Sequence, residues 1–190
     1  MTDFEEDIKK CVEVLQQGGT ILYPTDTIWG IGCNALNEAA VELVFKIKNR
    51  PKQKSMIVLL PEEKDILQYV AAPHPDIIEI LQSFKTPTTV IYNDALGFPY
   101  QVTDEDGSLG IRITNDAFCK GLLKRFRKPI ISTSANLSGW PAPTCFQDIH
   151  PSILQQVDYV VKHRQNDGNM LQASRILRIL EDGSFQIIRN

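Results

Sequence analysis

The densest group of residues able to bind an anion is a basic segment in the first third of the chain. It contains five cations with no acidic residue between them: Lys46, Lys48, Arg50, Lys52 and Lys54. Lys48 and Arg50 close a predicted helix, whose negative C-terminal end favours cations. The cations continue beyond Pro51, where no helix is expected, and Arg and Lys together suit a polyphosphate. The segment therefore predicts a nucleotide or RNA-phosphate site.

Two loops rich in hydroxyl side chains follow predicted buried strands. Thr25 and Thr27 follow the first strand, and Ser134, Asn136 and Ser138 follow another. Ligands of open α/β sheets commonly bind beyond strand ends, although each loop alone is also typical of an ordinary turn. The sequence contains neither GxxxxGK[ST] nor GxGxxG, so a standard phosphate-binding loop is not predicted.

The cysteines and histidines do not have the spacing of a metal site. The cysteines are Cys11, Cys33, Cys119 and Cys145, and the histidines are His74, His150 and His163. No CxxC pair and no HExxH motif occurs, which argues against structural zinc, a disulfide framework and metal-binding histidines. We predict no protein-bound metal and reduced thiols.

Charge and hydropathy limit the class of protein. The net charge is −3 over 190 residues, which disfavours a protein that coats nucleic acid. No apolar run approaches the roughly 18–20 residues that span a membrane, and the acidic start, MTDFEEDIKK, resembles no targeting peptide. We predict a cytoplasmic protein without membrane contact. A second basic cluster is predicted to be a solvated face: Lys120, Lys124, Arg125, Arg127 and Lys128.

Alternating helical and strand patterns must position these residues. They predict one α/β domain, residues 1–190, around a twisted, mixed and mostly antiparallel sheet flanked by helices. Helices are predicted at 3–17, after an Asn37 N-cap to 48, and at 61–70, 76–84 and 115–126. Strands are predicted at 20–24, 55–60, 88–92, 109–113 and 129–133. A final hairpin, 175–180 with 185–189, is joined by an Asp-Gly turn.

Four segments, in this order, resemble the YrdC family of threonylcarbamoyl-AMP synthases. They are YPTDTIWGIGC, KNRPKQKSMIVLL, IRIT and STSANLSGWPAPT. The resemblance runs from about residue 18 to residue 189. With the K-x-R-P motif at Lys48 and the S-A-N-x-S-G motif at Ser134, the chain resembles the synthase branch of this family. Its length is similar to that of the short, single-domain form.

The resemblance implies the formation of threonylcarbamoyl-AMP and pyrophosphate from ATP, L-threonine and bicarbonate, for tRNA modification. It implies charge-based catalysis by Lys48, Arg50 and Lys54. ATP would contact Arg50, Lys54, Ser108, Asn136, Thr144 and Arg189. Threonine would contact Thr27, Arg112, Ser134 and Ser174. Mg²⁺ would arrive with the triphosphate, and the product would pass to downstream threonylcarbamoyl-transfer proteins.

Two alternatives remain at this point. One is a non-catalytic module that binds double-stranded RNA or tRNA, or that acts in ribosome maturation, because a basic concave surface also attracts RNA backbone. The acidic net charge and the hydroxyl-rich loops argue against it. The other is the same scaffold with a different amino-acid substrate, since Leu59 and Arg175 differ from the residues usual in related sequences.

Overall fold

The structure is a computed structural model that describes residues 4–49, 56–167 and 172–190. Within these ranges nine strands form one sheet. The strands are β1 (Ile21–Tyr23), β2 (Gly30–Gly32), β3 (Ile57–Leu60), β4 (Thr88–Tyr92), β5 (Leu109–Ile113), β6 (Ile130–Ser134), β7 (Tyr159–Val160), β8 (Arg175–Ile179) and β9 (Phe185–Arg189). Their spatial order is β7-β1-β2-β6-β3-β5-β4-β8-β9.

The sheet is mixed, as predicted. In the described residues five strand pairs are antiparallel and three are parallel, the parallel ones being β1–β7, β3–β5 and β4–β8. Strand β5 lies between β3 and β4, whereas β9 is an edge strand with every residue exposed. The predicted α/β class is therefore confirmed.

The helices flank this sheet. They are α1 (Glu5–Gln16), α2 (Glu38–Lys48), α3 (Ile66–Tyr69), α4 (Ile77–Ser83), α5 (Ala117–Phe126) and α6 (Pro151–Gln156), with 3₁₀ turns at Glu63–Asp65 and Phe146–Asp148. In the described part of the chain, no helix has both the length and the apolar character needed to cross a membrane.

Local sequence signals explain the two long N-terminal helices. Helix α1 buries Ile8, Cys11 and Leu15 on one face, as helical periodicity requires. It ends at Gln16, and Gly18 follows with φ of +81°, which suits glycine. Helix α2 begins at Asn37, whose side chain accepts a hydrogen bond of 3.2 Å from the Ala40 amide. These starts and stops agree with the sequence predictions.

Three elements differ from those predictions. Residues 61–70 form a 3₁₀ turn and the single-turn helix α3 instead of one helix, and helix α6 was not predicted. Strand β2 was also missed, because its two glycines resemble a loop. A Cβ on Gly32 would lie 2.8 Å from the Ile131 carbonyl oxygen, so glycine lets β2 approach β6 closely.

Candidate functional site

A cavity of about 270 Å³ lies against the centre of the sheet. Its wall comes from the loop after β1, from β3, β5 and β6, and from the hairpin β8–β9. The lining residues are Thr27, Ile28, Trp29, Gly30, Met56, Ile57, Arg112, Ser132, Thr133, Ser134, Ala142, Ala173, Ser174, Ile176 and Arg189. The structure therefore brings together all four residues predicted to bind threonine, Thr27, Arg112, Ser134 and Ser174, with one predicted for ATP, Arg189.

Arg112 is the buried cation of this cavity. It lies on β5, where its register partners are Leu59 of β3 and Thr89 of β4, and it is 3% exposed. Its Nη1 donates a 2.9 Å hydrogen bond to Thr27 Oγ1, and its Nη2 lies 3.4 Å from Asp26 Oδ1. The Asp26 charge offsets the cost of burying the guanidinium. Nε of Arg112 is buried without a hydrogen-bond partner among the described residues.

The loop after β1 forms a directed chain of hydroxyl groups. Thr25 Oγ1 donates to the Ile28 carbonyl at 2.8 Å and accepts from the Thr27 amide at 3.0 Å. The Thr25 and Thr27 hydroxyls are 2.9 Å apart. This local network fixes the hydroxyl of Thr27 beside Arg112 before any ligand arrives.

The opposite wall of the cavity is held by the C-terminal hairpin. Ser174 Oγ lies 2.8 Å from the hydroxyl oxygen of Thr89. The Ser174 carbonyl accepts from Arg189 Nη2 at 2.8 Å and from Arg189 Nε at 3.2 Å. These hydrogen bonds hold Arg189, on the edge strand, against Ser174, which lines the cavity.

Two cations facing one cavity favour a negatively charged ligand. Loss of hydration, and then repulsion by Arg112, lower the pKa of Arg189 below its ordinary value. An anion between the two guanidinium groups would relieve this repulsion, and planar guanidinium groups suit carboxylate and phosphate. The electrostatics therefore agree with a carboxylate or phosphate ligand.

Lys48 does not face the cavity. It is 1% exposed, and its ammonium donates to the Ser134 carbonyl, to the Asn136 carbonyl at 2.7 Å and to Asn136 Oδ1 at 3.3 Å. The Lys48 carbonyl accepts from the Ser138 amide at 2.8 Å. These contacts connect α2 to the S-A-N loop, so the geometry gives Lys48 a positioning role. The two other predicted catalytic residues, Arg50 and Lys54, lie outside the described residues.

Three predicted ATP contacts lie away from the cavity. The Asn136 amide donates within its own loop, to the Trp140 carbonyl at 2.5 Å. Thr144 donates to Asp148 at 2.6 Å and lines a separate cavity of about 320 Å³. The Ser108 amide donates to Asp106 Oδ1 at 2.9 Å. Their predicted role stays a prediction.

Leu59 and Arg175, which suggested a different amino-acid substrate, do not line the cavity. Leu59 is 1% exposed beside Arg112. Arg175 donates to Thr88 Oγ1 at 3.2 Å, and its guanidinium carbon is 5.3 Å from the centre of the Phe84 ring. Strand alternation puts it on the face opposite to Ser174. Neither residue lines the cavity that Ser174 and Arg112 share.

Sequence reasoning placed Thr25 in a polar loop beyond a strand, but it assigned no individual contact to Thr25, Asp26 or Thr89, which support the residues of the cavity wall. Thr25 and Asp26 stand within the quoted YPTDT segment, so their proximity to Thr27 was visible. Thr89 sits inside an ordinary-looking strand, and no local signal reveals that its hydroxyl meets Ser174 across 85 positions.

Thiol and metal chemistry find little support in the described residues. Cys33 and Cys119 are buried, and burial raises the pKa of each thiol, which keeps it protonated at neutral pH. In the described ranges no group of three or more His, Cys, Asp or Glu side chains is arranged to hold a metal ion.

In the second basic cluster, Lys124 pairs with Glu62 and Arg125 with Glu5 on the surface.

Comparison with known proteins gives the family. A family model named Sua5_yciO_yrdC and described as telomere recombination matches residues 13–190. The chain belongs to the Sua5/YciO/YrdC family. A relative from Xanthomonas euvesicatoria pv. vesicatoria (strain 85-10), named threonylcarbamoyl-AMP synthase, is 34% identical over 190 residues, covering 97% of each protein.

Solved structures of Sua5 and YciO share the fold. P. abyssi Sua5 complexed with L-threonine matches with a TM-score of 0.84 at 21% identity, covering 97% of this chain and 54% of that one. The chain thus spans about half the length of that Sua5. E. coli YciO matches with a TM-score of 0.79 at 22% identity, covering 97% of this chain and 89% of that one.

Proposed function

We propose that this Sua5/YciO/YrdC family protein is a threonylcarbamoyl-AMP synthase. It joins ATP, L-threonine and bicarbonate into threonylcarbamoyl-AMP and releases pyrophosphate. The observation that carries the proposal is the cavity in which a buried arginine, Arg112, donates to the hydroxyl of Thr27. Ser174 and a second cation, Arg189, line the same cavity. Relatives that bear this name over nearly their full length support it.

Arg112 and the hydroxyl groups around it would bind the amino acid. The guanidinium lines the cavity, and its planar N–H groups can pair with the threonine carboxylate. Thr27, Ser134 and Ser174 would bind the remaining polar atoms. Ile28, Ile57 and Ile176 offer apolar surface for the substrate methyl group.

The two cations of the cavity would also favour the first chemical step. Threonine must lose a proton from its ammonium group to solvent before its amine can attack bicarbonate, which forms the carbamate and releases water. Neighbouring positive charges favour the neutral amine and stabilise the carbamate anion. Arg112 and Arg189 therefore fit the direction of charge change in this step.

The second step is an attack of the carbamate oxygen on the α-phosphate of ATP. It needs no covalent enzyme intermediate, which agrees with the protonated, buried thiols of Cys33 and Cys119. Arg50, Lys54 and Arg189 would balance the triphosphate, with Ser108, Asn136 and Thr144 as further nucleotide contacts. Orientation of bound reactants supplies up to about 7–11 kcal/mol of rate enhancement.

Further parts of the proposal concern the surroundings of this reaction. Magnesium would enter with the triphosphate, whose charge it offsets. Residues 1–190 would act as one domain in the cytoplasm and would also contact tRNA or double-stranded RNA. Proteins that transfer the threonylcarbamoyl group would accept the product.

The test is pyrophosphate release from ATP, with threonine and bicarbonate each supplied or omitted. The proposal expects release only when both are present, with serine a much poorer substrate. An Arg112→Lys variant that still binds ATP but releases little pyrophosphate serves as the matched control. No release from a folded protein that binds duplex RNA would instead favour the non-catalytic RNA-binding module.

A further inference from the structure

Ser174 faces the cavity, but its hydroxyl is oriented from behind by Thr89. The two hydroxyl oxygens are 2.8 Å apart, and Thr89 is 1% exposed and absent from the cavity wall. Within the described residues, Ser174 Oγ is the sole hydrogen-bond partner of the Thr89 hydroxyl. Among the described residues, Thr89, which lies outside the cavity wall, therefore makes its one hydroxyl contact with Ser174, which lines the cavity.

The direction of this hydrogen bond follows from burial. If Ser174 donated to Thr89, the proton of Thr89 would be buried without an acceptor, an arrangement that folded proteins rarely keep. If Thr89 donates to Ser174, the proton of Ser174 is free to point into the cavity, where a ligand or water can accept it. Ser174 therefore presents a donor to the cavity.

Packing holds Thr89 in the orientation that this requires. Its methyl carbon, Cγ2, lies 3.2 Å from the position that a Cβ on Gly110 would occupy. The missing side chain of Gly110 thus leaves room for the methyl group, and a β-branched residue has little freedom about χ1. The hydroxyl of Thr89 is consequently directed at Ser174.

Thr27, which also lines the cavity, has the other hydrogen-bonding role: it is an acceptor towards the cavity. Thr25 uses its single proton on the Ile28 carbonyl, so the 2.9 Å contact between the two threonines needs the proton of Thr27. Thr27 also accepts from Arg112 Nη1. What remains on Thr27 is a lone pair, and it therefore presents an acceptor to the cavity.

We propose that Thr89 is a positioning residue that acts through Ser174, and that Thr25 acts in the same way through Thr27. Together they give the cavity one hydroxyl donor and one hydroxyl acceptor. The amino acid then binds with an oxygen of its carboxylate at Ser174 and an N–H or O–H group at Thr27. This proposal rests on the proposed function, because it assumes that the ligand is an amino acid.

The test measures the binding of L-threonine and of ATP. It compares three single variants, Thr89→Val, Thr89→Ser and Ser174→Ala. A fourth variant combines Thr89→Val and Ser174→Ala. Thr89→Val keeps the shape and removes the hydroxyl, so we expect about tenfold weaker threonine binding with unchanged ATP binding. Thr89→Ser keeps the hydroxyl and should stay within about twofold of the unaltered chain. The double variant should bind threonine like Ser174→Ala alone, because Thr89 acts through Ser174.

Three results would overturn the proposal. The first is unchanged threonine binding in Thr89→Val, and the second is a double variant whose losses multiply. Thr89→Ala, which also lacks the hydroxyl, gives the same comparison if Thr89→Val does not fold. The third is an unaltered chain that binds no threonine, which would overturn the proposed function as well and so distinguishes the two failures.

Discussion

Arg112 and Arg189 line the same cavity, but the sheet holds them in different ways. Arg112 lies on β5 between two neighbouring strands, is 3% exposed and contacts both Thr27 and Asp26. Arg189 is on the exposed edge strand β9 and is tied to the carbonyl of Ser174. The centre of the sheet therefore orients one cation in advance, while the edge supplies a second cation that stays in contact with solvent.

This difference has a physical cause. A central strand has backbone partners on both sides, so its side chains hold their positions without a ligand. An edge strand has one partner strand and opens at a lower free-energy cost. We therefore expect Arg112 to anchor the carboxylate of the amino acid, and Arg189 to contribute charge that solvent can screen.

The largest expected effect is that of Arg112→Lys. A lysine keeps the charge but cannot form the planar, two-point contact with a carboxylate, so threonine-dependent pyrophosphate release should fall by at least about 100-fold. ATP binding should change little. Steady-state kinetics with varied threonine measure this, and a variant with nearly normal activity would remove Arg112 from the site.

The next effect concerns Lys48, the other buried cation. Lys48→Met would leave the carbonyls of Ser134 and Asn136 without their charged donor, and we expect a loss of unfolding free energy of about 1–3 kcal/mol. Lys46→Met is the matched control, because Lys46 lies on the same helix but is exposed. Urea unfolding of both variants measures the difference, and equal stabilities would contradict the buried contacts.

A smaller effect is expected from Arg189→Gln, which removes the charge, and it should depend on salt. We expect the KM for ATP to rise by about fivefold at low ionic strength, since a partly solvated charge contributes modestly. Raising the salt concentration to about 0.5 M should reduce this difference, because the Debye length shortens. The loss in Arg112→Lys should persist in the same salt. Equal salt dependence of the two variants would contradict the comparison of centre and edge.

The smallest effect is the pH dependence at Asp148, on an exposed loop. Hydrogen bonds from the hydroxyl and the amide of Thr144 lower the pKa of Asp148 below its ordinary value. Its stabilising contribution is therefore complete above the ordinary carboxyl pKa of about 4 and is lost as pH falls through the lower folded value. Asp148→Asn should be less stable than the unaltered chain at neutral pH, by a difference that shrinks towards about pH 3. Urea midpoints across this range measure it, and a constant difference would contradict the assignment.

Local signals were sufficient for part of the fold. The apolar stripe of α1, the Asn37 cap of α2 and the Asp-Gly turn of the final hairpin each act within a few residues. Gly183 in that turn has φ of +80°, and the Asp182 side chain accepts from the Ser184 amide at 2.9 Å. Such features depend on neighbours along the chain, which a sequence displays directly.

The elements that sequence reasoning missed depend on distant neighbours. Strand β2 reads as a loop because Gly30 and Gly32 have low strand propensity, yet it pairs with β6, about 100 positions later. Four predicted threonine contacts do converge on one cavity, but the family resemblance, not periodicity, supplied Ser174. The strand pattern gave Thr89 no contact, since nothing in such a pattern identifies which hydroxyl meets a partner on another strand.

By itself the sequence determined the class of the fold, the position of most helices and strands, and the chemical types gathered in the polar loops. Only the tertiary structure decided that Lys48 is buried against the S-A-N loop, that Arg175 points away from Ser174, and that Thr89 orients it. The reason is that strand register sets the face on which each side chain lies. Hydrogen-bond direction in turn depends on which partners are buried beside it, and both arise from contacts between residues far apart in the chain.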